Sequence, residues 1–197
     1  MSTNKIFDEY LKLLLKWNQK INLTSLTDPK EIRVKHFEDC LSLVPFVKNA
    51  KRVIDLGSGA GLPGLVLKIV CPQLDVVLVE ATGKKVSFLT TAIATLGLQG
   101  INAVQGRAES PEVQKSIGTA DIILSRATWS VADFLPIASS YLAEGGVIIA
   151  MKGPLAEKEI KEAQKTVIQH QLILKKEHFY TLSSGEKRKL LFWKMMT

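Results

Sequence analysis

Cysteine is scarce in this chain: Cys40 and Cys71 are the only two in 197 residues, and neither belongs to a C-x-x-C pair. That argues against a disulfide framework and against structural zinc, and makes a reducing, cytoplasmic setting the expectation. Long apolar runs are missing as well. The opening stretch MSTNKIFDEYLKLLLKW puts acids ahead of a short apolar run, and nothing approaches the roughly 18 uninterrupted apolar residues of a membrane span. Histidine occurs three times, at His36, His170 and His178, and no metal site is expected from that set. There is no internal repeat, low-complexity tract or long linker. With 46% hydrophobic and 23% charged residues, the chain is the size of one domain, or of a domain with an extension.

Charge of one sign is in excess, but unevenly. The net +7 divides into 8 basic and 6 acidic side chains over residues 1–50, 8 and 8 over 51–150, and 10 and 5 over 151–197. A polyanionic partner would explain the excess, since Lys and Arg neutralise phosphates; so would solubility, and composition leaves both open.

What is present falls into two parts. Phe7, Tyr10, Leu11, Leu14, Trp17 and Ile21 recur at helical spacing, with Lys12, Lys16 and Lys20 on another face. A second helix is expected from Pro29 to about Leu43, with Asp28 as its N-cap and Pro29 at the first helical position. Residues 1–48 thus read as an N-terminal helical extension, and 49–197 as one compact α/β unit. There, candidate strands at Arg52–Leu56, Asp75–Glu80, Asn102–Gln105, Asp121–Ser125 and Val147–Met151 alternate with helices such as Gly83–Leu96 and Ala132–Leu142. The pattern predicts a Rossmann-like, mostly parallel sheet covered on both faces. After a helix near Leu155–His170, LILKKEHFYTL and RKLLFWKM, joined through Ser183–Glu186, predict an antiparallel edge pair.

The densest signal is DLGSGAGLPG, Asp55 to Gly64, between a strand and a helix. Four glycines in eight residues mark tight turning or the close approach of a ligand, and a ligand in such a fold lies beyond the carboxyl ends of the strands. The second strand ends in Glu80, placed to accept hydrogen bonds from ribose hydroxyls. Gly59 to Gly64 also satisfies G-x-G-x-x-G, which admits a dinucleotide and an oxidoreductase. Two features favour S-adenosylmethionine instead. Asp55 stands two residues before Gly57, where a carboxylate can receive an ammonium group but repels a pyrophosphate, and no Tyr-x-x-x-Lys pair or strand-end histidine supports hydride chemistry. Two further absences narrow the target. The [DN]-P-P-[FYW] turn common in amino-group methylation is replaced by Ser125-Arg-Ala-Thr128, and no cysteine stands at the fourth strand's end for cytosine C5 chemistry.

The motifs WNQKINLTS (17–25), HFEDCLSL (36–43), VIDLGSGAGLPGLVL (53–67), GKKVSFL (83–89), GRAE (106–109), SRA (125–127) and AMKGP (150–154) resemble those of the bacterial RsmG (GidB) family of small-subunit ribosomal RNA methyltransferases. The resemblance implies a class I S-adenosylmethionine-dependent methyltransferase fold. It also implies methyl transfer to N7 of one guanine in 16S ribosomal RNA; oligomeric state stays open with monomer as the default, and from composition neither metal nor membrane is expected. On the family's pattern Gly57 and Leu62 contact the cofactor, Ala108 and Glu109 border the adenine, and Arg126 reaches the cofactor end of the crevice as a positioning group. The general methyltransferase layout adds Asp55, Gly59, Gly61 and Glu80. Lys84 and Lys85, opposing a helix dipole, join Arg107, Lys152 and His36 as candidate RNA contacts. The chain departs from the family's usual residues at Glu80-Ala81, Cys40 and Trp129, the last bearing on the guanine pocket. A non-catalytic RNA-binding assembly factor on the same fold is the remaining alternative.

Overall fold

Strands with apolar centres such as Val76-Val-Leu-Val79 and Ile122-Ile-Leu124 have no face to offer water, so they must be covered on both sides. The computed structural model, which describes residues 2–196, shows them as β1 (Arg52–Leu56), β2 (Asp75–Glu80), β3 (Ile101–Gln105), β4 (Ala120–Arg126) and β5 (Leu142–Lys152). They form a parallel array. With β6 (Leu172–Thr181) and β7 (Lys187–Met195) the sheet has seven strands in the order β3-β2-β1-β4-β5-β7-β6, and β7 runs antiparallel to both neighbours. The edge hairpin is where the sequence places it. β5 begins five residues earlier than Val147, because Leu142 pairs with Ala120 ahead of a bulge.

Helices α1 (Thr3–Asn18), α5 (Gly64–Val70) and α6 (Gly83–Thr95) bury Tyr10, Leu14, Leu65, Leu67 and Phe88 in the core on one face of the sheet. On the other face α7 (Pro111–Ile117), α8 (Val131–Ser139), α9 (Ala156–Glu162) and α10 (Gln164–Gln169) cover a core built on Phe134, Tyr141 and Trp193. Each fully buried large side chain of this kind contributes about 1.5–3 kcal/mol.

The helix expected over Ala132–Leu142 runs instead from Val131 to Ser139, since Leu142 opens β5, and three other predicted helices differ in detail. The first ends at Asn18 and does not include Ile21, because Asn18 turns the chain: its Oδ1 accepts from Leu23 and Thr24 N–H at 2.9 and 3.0 Å, and its Nδ2 donates to the Thr24 carbonyl at 2.9 Å. The second starts as expected, with Asp28 Oδ1 accepting from Lys30 N–H at 2.6 Å. It then passes from α2 (Pro29–Ile32) through a π-helical segment (Arg33–Glu38) to α3 (Asp39–Leu41), followed by α4 (Val44–Val47). The third, near 155–170, is interrupted at buried Ala163 into α9 and α10. Among the described residues no helix is long and apolar enough to cross a membrane.

Candidate functional site

Because β2 and β3 lie on one side of β1 while β4 and β5 lie on the other, the connections leaving β1 and β4 diverge. They open a crevice beyond the carboxyl ends of the strands. A cavity of about 530 Å³ occupies it, within the roughly 300–1,000 Å³ range of small-molecule sites. Its walls bring together Gly57, Gly59, Leu62, Glu80, Lys85, Arg107, Ala108, Glu109, Arg126 and His36, residues spread over more than seventy positions of sequence.

The glycine loop is shaped by contacts as well as by turning. Gly57 has φ +66°, and a Cβ there would lie 2.6 Å from Thr128 Cγ2, so the loop after β1 closes against the turn after β4 only without a side chain. Glu80, at the end of β2, is buried and anchored to the loop: Oε2 accepts from Gly59 N–H at 3.0 Å and Oε1 from Thr82 N–H at 2.8 Å. A carboxylate oxygen can accept more than one donor, so Glu80 keeps acceptor capacity toward the cavity it lines.

Two loop residues stand elsewhere than expected. Asp55 does not line the cavity. It is wholly buried beneath the loop, where Oδ2 accepts from Gly64 N–H at 2.9 Å and Oδ1 has no partner among the described residues. Burial pushes its carboxyl up to about 7. The approach of α5 causes this placement, since a Cβ on Gly64 would lie 2.2 Å from a Leu78 methyl and 2.9 Å from Asp55 Oδ2. Gly61 likewise faces inward, its missing Cβ leaving room for Leu65.

Arg126, at the end of β4, is tied down on one side. Nε donates to Asp39 Oδ2 at 2.8 Å, and Nη2 to the Lys35 carbonyl at 2.7 Å, with His36 Nδ1 3.1 Å away. Asp39 also receives the Tyr180 hydroxyl at 2.6 Å and faces Arg188 at 3.9 Å. His36 and Asp39, one turn apart, therefore meet through Arg126 instead of pairing with each other. Burial and the Arg126 charge lower His36 to about 4. Ala127, which follows, holds φ +55°, a conformation that side chains rarely adopt and that surrounding contacts must maintain.

The basic candidates divide. Lys85 and Arg107 line the cavity, whereas Lys84 lies exposed on α6 outside it. Lys152 is committed to structure: its ammonium donates to the Trp129 carbonyl at 2.6 Å and pairs with Glu159 at 2.7 Å. It borders a second cavity of about 290 Å³ behind Arg126 and Ala127, which Asp39 and Arg188 also line. Cys40 and Cys71 are buried, and burial raises both thiols.

Two contributors carry no local sequence signal. Tyr10 of α1 donates to the Ala60 carbonyl at 2.6 Å, and Tyr141 to the Ala108 carbonyl at 2.7 Å, so two buried hydroxyls brace opposite walls of the cavity. Leu23, Thr24, Thr128 and Trp129 also line the cavity. Leu23 and Thr24 stand in the INLT stretch, the signal that could have placed them.

Residues 3–191 match the family described as rRNA small subunit methyltransferase G. A relative from Myxococcus xanthus, a ribosomal RNA small subunit methyltransferase G, is 46% identical over 140 residues. The match covers 71% of this chain and 64% of that protein, so the chain spans less than two thirds of its length. A relative of the same description from Streptococcus pyogenes is 36% identical over 186 residues, 92% of this chain and 78% of that one. Among solved structures, a ribosomal protein L11 methylase from Lactobacillus delbrueckii superposes with a TM-score of 0.62 at 14% identity, covering 82% of this chain and 79% of the other. At that identity the likeness is one of fold.

Proposed function

The chain belongs to the rRNA small subunit methyltransferase G family, and from that premise we propose that it transfers a methyl group from S-adenosylmethionine to N7 of a guanine in 16S ribosomal RNA, in the cytoplasm. The observation that carries the proposal is the gathering of Gly57, Leu62, Glu80, Ala108, Glu109 and Arg126 around one cavity at the switch point of the sheet. The cavity fits the cofactor chemically. Glu80 offers acceptor oxygens for ribose hydroxyls, the fixed backbone at Ala108 and Glu109 offers an edge for adenine, and the bare backbone at Gly57 and Gly59 permits close approach of the amino-acid half. Asp55 would act through the loop by holding Gly64, without touching the ligand. When bound, S-adenosylmethionine supplies an electrophilic methyl group on a sulfonium.

The remaining task falls to the protein's own residues. Guanine N7 has an in-plane lone pair and no proton to lose, so no general base is needed. What the walls must do is orient the base and exclude water, and orientation alone can lower a barrier by about 7–11 kcal/mol. Arg126 suits that role because Asp39, Lys35 and His36 fix its Nε and Nη2, while Nη1 has no hydrogen-bond partner among the described residues. Lys85 and Arg107, at the cavity's rim, would meet RNA phosphates.

The test is calorimetric titration with S-adenosylmethionine, S-adenosylhomocysteine and NAD, for wild type and Gly57→Asp. Binding of the two sulfur compounds alone, lost in the variant, is expected. It would be followed by loss of one 7-methylguanine from 16S RNA in a deletion strain. Binding of NAD alone would overturn the proposal, and an unchanged methylation map would remove the rRNA assignment.

A further inference from the structure

Thr24 lines the cavity, and its hydroxyl has a direction that the surrounding donors and acceptors determine. Arginine donates hydrogen bonds and never accepts them. The 3.1 Å contact between Arg126 Nη2 and His36 Nδ1 is therefore attractive only when Nδ1 carries no proton. The Lys35 carbonyl also lies 3.1 Å from Nδ1, but it accepts from Arg126 Nη2 at the shorter distance of 2.7 Å, and a proton placed on Nδ1 would face the cationic Nη2. A neutral imidazole without a proton on Nδ1 carries it on Nε2, and Nε2 sits 2.7 Å from Thr24 Oγ1. The low His36 pKa, about 4, keeps the ring neutral at physiological pH. In that tautomer Thr24 Oγ1 accepts from His36, and it accepts a second time from Leu26 N–H at 3.1 Å. Both lone pairs are spent, and the hydroxyl proton has no acceptor among the described residues.

We propose that Thr24 is a specificity-determining hydrogen-bond donor, its proton aimed into the cavity by the chain Arg126 to His36 to Thr24, and that it takes an oxygen that can only accept. The inference rests on the methyltransferase function proposed above. Two acceptor-only groups of its ligands belong inside the cavity, with the RNA phosphates left to the rim: the carboxylate on the cofactor's amino-acid half and the O6 carbonyl of guanine. With Arg126, which also only donates, lining the same cavity, Thr24 makes an environment that welcomes either oxygen and disfavours an amino group. For the base, this selects guanine over adenine, whose exocyclic N6 donates. His36 is in this account a positioning residue that sets the hydroxyl's direction, instead of a contact to RNA.

The test uses the full chain as wild type, Thr24→Val and Thr24→Ser. Calorimetry with S-adenosylhomocysteine and with 5′-methylthioadenosine, which lacks the amino-acid half, is set beside methyl transfer to small-subunit RNA. The expected result is a loss of about tenfold in Thr24→Val, restored in Thr24→Ser, in one readout. If S-adenosylhomocysteine binds more weakly while methylthioadenosine does not, the acceptor is the carboxylate. If both bind as in wild type while kcat/KM for RNA falls, it is O6. His36→Gln, whose amide can still donate to Thr24, should retain more function than His36→Leu. A Thr24→Val protein equal to wild type in every readout overturns the proposal. So does one weakened equally toward all ligands, with a lowered Tm that Thr24→Ser does not recover. Failure of wild type itself to bind S-adenosylhomocysteine is a separate result, removing the methyltransferase function on which the inference rests.

Discussion

Asp55 links the protonation of one buried carboxyl to the stability of the fold. Its pKa is near 7 in the folded chain against 3.8 for an ordinary, unburied aspartate, with desolvation as the largest cause. Between those values the folded state keeps a proton that the unfolded state releases. The group's contribution is therefore fully present below about pH 3.8 and lost as pH rises through about 7. His36 has the opposite slope: its folded pKa is about 4 against 6.5, so its contribution is present above 6.5 and lost as pH falls toward 4. Asp55→Asn should abolish this decline between about pH 3.8 and 7. Thermal unfolding from pH 5 to 8 is expected to show Tm falling less with pH in the variant than in wild type, and parallel curves would contradict the assignment. Gly57→Ala belongs to the same scale. With φ +66° and a Cβ 2.6 Å from Thr128, the variant must strain its backbone and push the β4 turn away. A stability loss of about 1–3 kcal/mol is expected from the conformation, with weakened S-adenosylhomocysteine binding in calorimetry. The sequence allowed Asp55 to be placed at a strand end. Whether the side chain reached the cavity depended on how closely Gly64 lets α5 approach, a packing fact no local pattern carries.

At the scale of elements, α1 and the π-helical segment reach the site through single side chains. Tyr10 is fully buried, and its hydroxyl holds the Ala60 carbonyl inside the glycine loop. Helical periodicity identifies Tyr10 as core, but says nothing of a partner fifty residues away. Tyr10→Phe leaves that carbonyl without its donor and should cost about 1–2 kcal/mol in denaturant unfolding. Because the carbonyl belongs to the loop, S-adenosylhomocysteine affinity should fall as well, whereas a purely structural role would leave it unchanged in the folded variant. Asp39 joins three elements, receiving Arg126 from β4 and Tyr180 from β6 and facing Arg188 from β7. Removing one partner of a buried pair leaves the other charge uncompensated, so Asp39→Ala is expected to lose about 3–5 kcal/mol in the same measurement. The π-helical turn that carries this residue inward did leave a trace. Buried Ile32 and Phe37 are five apart and Phe37 and Cys40 three, a spacing that a regular helix of 3.6 residues per turn does not keep on one face.

For the whole molecule, alternation of apolar strands and amphipathic helices was enough to place the sheet, its edge hairpin and the crevice, because parallel pairing buries strands on both faces and leaves that pattern along the chain. Charge was less legible, since composition cannot tell a lysine facing RNA from one held by a neighbour. Lys152 and Lys189 belong to the basic C-terminal part, yet both are nearly buried and paired, the first with Glu159 and the second with Glu157 and Glu177. Lys85 and Arg107, from the electrically balanced middle of the chain, line the cavity beside the tethered Arg126. Net charge of +7 should therefore mislead as a guide to RNA binding, and salt dependence separates the two groups. Each cation that displaces a counterion from RNA contributes about 0.7–0.9 to the slope of log K against log salt. Lys85→Ala and Arg107→Ala should each lower the slope by about that much, and Lys152→Ala should leave it near wild type while reducing Tm through loss of the contacts to Trp129 and Glu159. Filter binding of small-subunit RNA over a salt series measures the slopes. An unchanged slope in Lys85→Ala and Arg107→Ala, with a shallower one in Lys152→Ala, would move the RNA path from the mouth of the main cavity to the smaller cavity behind Arg126.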